Sequence, residues 1–161
     1  MELDKTDRAL VDAVLRDANQ RLEDLARLVG LAPSSVHDRL RRLERDGVIR
    51  RWTVDVDATA FGLQVLAYVG LRSSRPCSEL IAALAAVDAI EECHSVAGPN
   101  SMVLKVRVAS PPALLELIER LRQIPGVEGT ETSIVLKSLI DRPLTLPAPT
   151  PPVRARERSR R

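Results

Sequence analysis

The sequence predicts an α+β chain of two unlike halves, a helical N-terminal half followed by a C-terminal half that alternates as βαββαβ. Three observations predict it. Up to about residue 46, apolar residues recur three and four apart; from residue 65, short apolar runs and two-residue alternation take over. Finally, the segment 79–91 is echoed at 116–128 at a uniform offset of 37 residues, as two half-folds of one split βαβ design would be.

The elements follow in order. Asp4 and Asp7 give an acidic first turn to a helix carrying Ala9, Leu10, Ala13, Val14 and Leu15, which runs to about Asp17. Asn19 and Gln20 break the pattern. Leu22, Leu25, Ala26, Leu28 and Val29 then form a second short helix, stopped by Gly30. Pro33, whose missing N–H is harmless at a helix start, opens a third helix that runs to about Asp46. Three helices with a glycine turn between the second and third make a helix-turn-helix pattern.

At about 100° per residue, Val36, Leu40 and Leu43 of the third helix fall in one apolar stripe. Ser34, Ser35, His37, Asp38, Arg41, Arg42 and Arg45 occupy the opposite arc. Arg39 lies beside the stripe, where it can contact DNA or anchor the helix through an acid. Six arginines lie between residues 39 and 51, against Glu44 and Asp46. Guanidinium groups neutralise phosphates and fork onto guanine edges, and short serines permit close approach to a groove. The candidate DNA-binding residues are therefore Ser34, Ser35, His37, Asp38, Arg39, Arg41, Arg42 and Arg45. The competing reading of the same charges is a solvated face pairing with the acids of the first helix.

After Gly47, residues 48–56 read as an extended segment rich in β-branched residues, a wing or a connecting strand. Trp52 within it is assigned to packing or to a subunit contact, since one aromatic makes a poor base-stacking platform. The second half predicts strands at 65–71, 90–96, 102–108 and 130–139, with helices at 76–87 and 112–123, in the order of a ferredoxin-like sandwich. Helices cover one face of such a sheet. The other face is expected to be apolar and to need cover from a second subunit.

Composition narrows the function. Of 161 residues, 24 are basic and 22 acidic, for a net charge of +2, and the aromatics are only Trp52, Phe61 and Tyr68. A reader of unpaired bases by ring stacking is thereby nearly excluded. Residues 1–62 carry a net charge of −1, residues 63–142 also −1, and residues 143–161 carry +4. Cys77 and Cys93 are too few for a disulfide framework, no charged-then-apolar leader opens the chain, and no apolar run approaches a membrane span, so a cytoplasmic protein is expected. Phosphate-cradling glycine loops, nucleophile elbows and paired zinc histidines are absent from the sequence. Cys93 and His94 point to opposite faces of a strand and do not close a metal site. No cofactor, metal or catalytic residue is expected.

The string Leu3-Asp4-x-x-Asp7, Arg21, Leu25-Ala26, Gly30-Leu31, Ser35-Val36-x-x-Arg39-Leu40, Leu43-Glu44-x-x-Gly47-Val48-Ile49 and Gly62 resembles the N-terminal half of the Lrp/AsnC (feast/famine) family of transcription regulators. Ala32 departs from that family, which commonly has a capping serine there. The resemblance implies double-stranded DNA as partner, a linker that pairs between subunits, and a C-terminal RAM domain. It further implies a homodimer formed through the sheets, assembly to a tetramer or octamer, and a small-molecule effector, an amino acid or related metabolite, bound between dimers.

The implied domains are 1–50 for DNA binding, 51–62 as linker strand, 63–142 as the effector and oligomerisation domain, and 143–161 as a Pro/Arg-rich disordered tail that serves as a soluble end or a DNA tether. The family's effector loop, Gly-Asp-aromatic-Asp, falls here on Gly98, Pro99, Asn100 and Ser101, so both acids are missing. An Asn–Ser pair offers hydrogen bonds to an effector's ammonium group without a full charge. With Thr130, Thr132 and Ser133, these are the candidate effector-binding residues. Two alternatives share the architecture: an enzyme similar to sirohaem decarboxylases, and a ligand-binding partner protein that has lost DNA binding.

Overall fold

The computed structural model describes residues 3–147. They form two compact units, one comprising residues 3–54 with 141–147, the other residues 55–140. Of the C-terminal tail, residues 148–161 lie outside the described residues.

The first unit holds α1 (Lys5–Arg16), α2 (Leu22–Val29) and α3 (Pro33–Arg45). Asp4 caps α1, its Oδ1 accepting from the Asp7 backbone N–H at 2.7 Å. Gly30 closes α2 in the left-handed conformation, φ 69°, which a side chain would strain. The α3 start has Ala32 as N-cap with no side-chain hydrogen bond, as the missing serine implies. Leu10, Leu25, Val36 and Leu43, each at most 2% exposed, form the centre of the helical core.

The buried polar side chain of this unit is Asp7, 3% exposed. Arg39 Nη1 donates to its Oδ1 at 2.8 Å and Arg42 Nη2 to its Oδ2 at 2.6 Å, while Arg39 Nη1 also reaches Asp4 Oδ2 at 2.6 Å. The first and third helices are thus joined by charge as well as by apolar packing. The chain also returns to this unit after the second one. Leu146 packs against the helical core, and Arg8 Nη2 donates to the Pro147 carbonyl at 2.9 Å.

The second unit is an antiparallel sheet of β1 (Val65–Ser73), β2 (Ile90–Ser95), β3 (Met102–Val108) and β4 (Val127–Ile134), in the order β2-β3-β1-β4. Two helices, α4 (Cys77–Ala85) and α5 (Pro111–Arg122), cover one face. Ala67, Val69 and Leu71 of β1 and Met102, Leu104 and Val106 of β3 are fully buried beneath them. The sequence is therefore a helix-turn-helix unit followed by a ferredoxin-like unit. Among the described residues no helix is long and apolar enough to cross a membrane.

Three sequence expectations need correction. First, residues 48–56 form no strand within this single chain among the described residues, and Val54 and Val56 are exposed. Second, β4 is displaced towards the N-terminus of its expected span. A register shift between Arg72 and Ser73 lets Ser73 pair with Val127, and the ladder runs to Ile134 opposite Ala67, with one further bond from Val135 N–H to the Leu66 carbonyl at 2.9 Å. Third, the uncovered face of the sheet is mixed rather than apolar, with Leu66 and Val103 set among polar and charged side chains. It carries Tyr68, Lys105, Arg107, Glu92, His94 and Glu131, with Lys105 Nζ 3.1 Å from Glu92 and 3.3 Å from Glu91. Hydrogen bonds donated to Glu92, and then to Glu91, hold the pKa of the Lys105 ammonium above its ordinary value, against the opposing pull of burial.

Two outcomes follow for the helical unit. Arg39→Ala strips Asp7 Oδ1 of its side-chain donor in a buried setting and should lower stability by about 1–3 kcal/mol in urea unfolding, whereas exposed Arg41→Ala should leave it nearly unchanged. The Asp7 N–H, then the Arg39 guanidinium, hold the Asp4 carboxyl below its ordinary 3.8. A lowered folded value means that this contribution is complete above the unfolded value and disappears as pH falls through the folded one. Thermal melts should show an acid-side loss that is smaller in Asp4→Asn.

Candidate nucleic-acid interface and ligand site

The presentation of α3 is set by its underside. With Val36, Leu40 and Leu43 buried, the 100° step leaves Ser34, Ser35, His37, Asp38, Arg41 and Arg45 exposed. At the helix start the first N–H groups lack intrahelical acceptors, and the serines add hydroxyls beside them. That end is a partial positive charge with donors directed outward, suited to a phosphate.

The eight predicted residues divide into two groups. Arg39 and Arg42 turn back onto α1 and are held by Asp4 and Asp7. Arg39, 28% exposed, thus takes the anchoring alternative that the sequence left open, whereas Arg42 reaches Asp7 while remaining 44% exposed. Arg41 lies 3.5 Å from Glu44 in an exposed pair, a weak restraint. Arg45 has no ion pair among the described residues. Ser34, Ser35, His37, Asp38, Arg41 and Arg45 therefore make the outer row. Trp52 donates its indole N–H to the Glu44 carboxylate, which keeps the single tryptophan against the base of α3.

The ligand candidates also divide. The loop joining β2 and β3 carries Gly98, Pro99, Asn100 and Ser101. Ser101 is built into the fold: its N–H donates to the Leu71 carbonyl at 2.8 Å and its Oγ accepts from Ser73 N at 3.2 Å. Asn100 lies over Gly70, where any Cβ would collide with its amide. From there Asn100 Nδ2 reaches Glu131 Oε2 at 3.3 Å.

Glu131 and Ser133 project from the uncovered face of β4, opposite Gly70 and Tyr68. Thr130 and Thr132 alternate to the helix-covered face, and the Thr130 hydroxyl accepts from Arg122 Nε at 2.9 Å. The structure thus brings Asn100 to Glu131 and parts both threonines from that group. Sequence reading missed Glu131, because its only signal is the cross-strand register of β4 on β1. No group of three or more metal-ligating side chains gathers among the described residues.

Comparison with known proteins agrees with this geometry. A family described as winged helix-turn-helix DNA-binding matches residues 3–50, and one described as the Lrp/AsnC ligand binding domain matches residues 65–145. The HTH-type transcriptional regulator LrpA of Mycobacterium tuberculosis is 37% identical over 138 residues, covering 84% of this chain and 91% of the relative. The leucine-responsive regulatory protein of Salmonella typhimurium is 31% identical over 143 residues, covering 86% and 87%.

The solved structure of the feast or famine regulatory protein from M. tuberculosis complexed with L-methionine superposes with a TM-score of 0.85 at 34% identity, covering 91% of this chain and 100% of that one. These relatives are transcriptional regulators, not enzymes, which removes the decarboxylase alternative. A helix-turn-helix unit with a polar, cationic outer row, followed by a four-stranded unit that matches the Lrp/AsnC ligand binding domain, places this chain in the Lrp/AsnC family of DNA-binding transcription regulators with a ligand-binding domain.

Proposed function

We propose that this regulator reads specific duplex sequences through Ser34, Ser35, His37, Asp38, Arg41 and Arg45, and that it acts in the cytoplasm as a homodimer with further assembly to a tetramer or octamer. The observation that carries the DNA reading is the division of α3: its apolar stripe is buried, Arg39 and Arg42 are held on Asp7, and the remaining polar row faces solvent. A dimer fits this use, because two such helices one duplex turn apart read a two-fold site.

The proposed effector is an amino acid, received at the loop formed by Gly98, Pro99, Asn100 and Ser101. Support comes from Glu131. The loop has lost the acids common in the family, yet the Glu131 carboxylate stands beside Asn100 and supplies a full negative charge for an ammonium group. Effector binding would favour one arrangement of subunits and so bias affinity for DNA through differential contacts in the two states.

Genome-wide mapping of bound DNA, followed by titration of a mapped duplex, tests the first reading. Arg41→Ala with Arg45→Ala should weaken binding and reduce the slope of log affinity against log salt by about 0.9 for each phosphate no longer neutralised. Unchanged affinity and slope in a folded variant would remove α3 as the reading element. For the second, calorimetric titration with the standard amino acids should identify a binder whose affinity falls about tenfold in Glu131→Gln. Thr132→Val should bind as the parent does, and equal losses in both variants would overturn the Glu131 site.

A further inference from the structure

We propose that Arg72 receives the carboxylate of the effector, so that the bound molecule is an α-amino acid with both charged groups free, held between Arg72 and Glu131. The inference rests on the Glu131 reading of the ligand site and adds the second half of that site. Three observations on the uncovered face of the sheet carry it: the register of β1 on β4, the separate fastening of the two charges, and the pairing of the other cations on that face.

The register puts the two charges together. Along β1, Ala67, Val69 and Leu71 are buried under the helices, so Tyr68, Gly70 and Arg72 take the opposite side. Gly70 pairs with Glu131, and Arg72 with Gly129. Arg72 and Glu131 are therefore diagonal neighbours on adjacent strands, a placement in which two positions lie roughly 7–8 Å apart and long side chains meet. Lys105 and Arg107 share this face, but Lys105 is paired with Glu91 and Glu92, and Arg107 with Glu91. Arg72 is the arginine on this face that no acid answers among the described residues.

Each of the two charges is fastened separately rather than to the other. A Cβ at Gly129 would stand 2.6 Å from Arg72 Nη2 and 3.3 Å from its Cζ, so the bare glycine is the seat on which the guanidinium lies. Asn100, lying over Gly70, donates from Nδ2 to Glu131 Oε2 at 3.3 Å. Opposite charges are thus kept side by side without closing into an ion pair. They match one class of molecule, because an α-amino acid carries an ammonium and a carboxylate on a single carbon. Glu131 gives the ammonium a charged acceptor, and a guanidinium gives the carboxylate two parallel N–H donors. With both receptors already seated, less side-chain freedom is lost on binding. An α-amide of the same amino acid offers Arg72 an oxygen but no charge, so the site discriminates against it.

The test is calorimetric titration of the full chain with the standard amino acids and with the α-amide of each. The parent should bind at least one amino acid, and should bind its amide about tenfold or more weakly. In Arg72→Gln the amino acid should lose about tenfold or more, while the amide binds nearly as it does to the parent, since the group that separated the two ligands is gone. Circular dichroism confirms the fold of this variant, whose altered side chain is exposed and outside every ion pair of the described residues. An unchanged affinity for the amino acid overturns the assignment, as does an equal loss for acid and amide.

A second variant, Gly129→Ala, keeps the cation but puts a methyl where the guanidinium lies. It should weaken the amino acid by less than Arg72→Gln does and leave the amide nearly unaffected. An unchanged affinity for the amino acid, or an equal loss for both ligands, would overturn the seating of Arg72 on Gly129. Failure of the underlying reading looks different. If no amino acid binds the parent, or if Glu131→Gln binds as the parent does, the Glu131 site fails and the proposal with it. Dependence on Glu131 without dependence on Arg72 overturns the Arg72 assignment alone.

Discussion

A carboxylate closed into a helical core sets the direction of the element that faces the partner. Asp7, in the first turn of α1, is buried with its two oxygens taken by Arg39 and Arg42 of α3, and Asp4 adds a second acceptor for Arg39. A buried charge without such partners is costly, so the arrangement tolerates only rotations of α3 that keep both guanidinium groups in place. Apolar contacts from Val36, Leu40 and Leu43 would allow neighbouring packings at little cost; the fork of hydrogen bonds does not. That orientation decides which residues of α3 meet solvent.

Arginines close in sequence are thereby given different tasks. Arg41 and Arg42 are adjacent, yet the 100° step between them sends one outward and the other towards Asp7. The ligand-binding unit divides its residues by the same kind of periodicity with a shorter repeat. Along β4, Thr130 and Thr132 turn towards the helices while Glu131 and Ser133 turn away, so neighbours in sequence belong to different surfaces. Gly70 matters to this surface because the lack of a side chain on β1 lets Asn100 lie down on the sheet beside Glu131.

Legibility in the sequence followed the range of the interaction. Helix periodicity, the Gly30 stop and the uncapped start at Ala32 depend on residues within a few positions of one another, and the structure has them as read. The 37-residue echo between 79–91 and 116–128 was enough to order the ββ pairs around two helices. The span of β4 was not readable, since it is set by its register on β1 and by a shift at Arg72. Nor could local pattern show that residues 48–56 form no strand within this single chain among the described residues, because a strand exists only with its partner.

Alone, the sequence determined the two kinds of unit, the family to which the motifs belong, and the concentration of arginine between residues 39 and 51. These are properties of composition and short-range periodicity, which the chain carries before it folds. Only the tertiary structure decided that Arg39 and Arg42 serve Asp7, that Glu131 stands with Asn100, and that residues 141–147 return to the helical unit. Each of those depends on groups about thirty or more positions apart meeting at hydrogen-bond or packing distance, and no one-dimensional pattern encodes which of several acids an arginine will find.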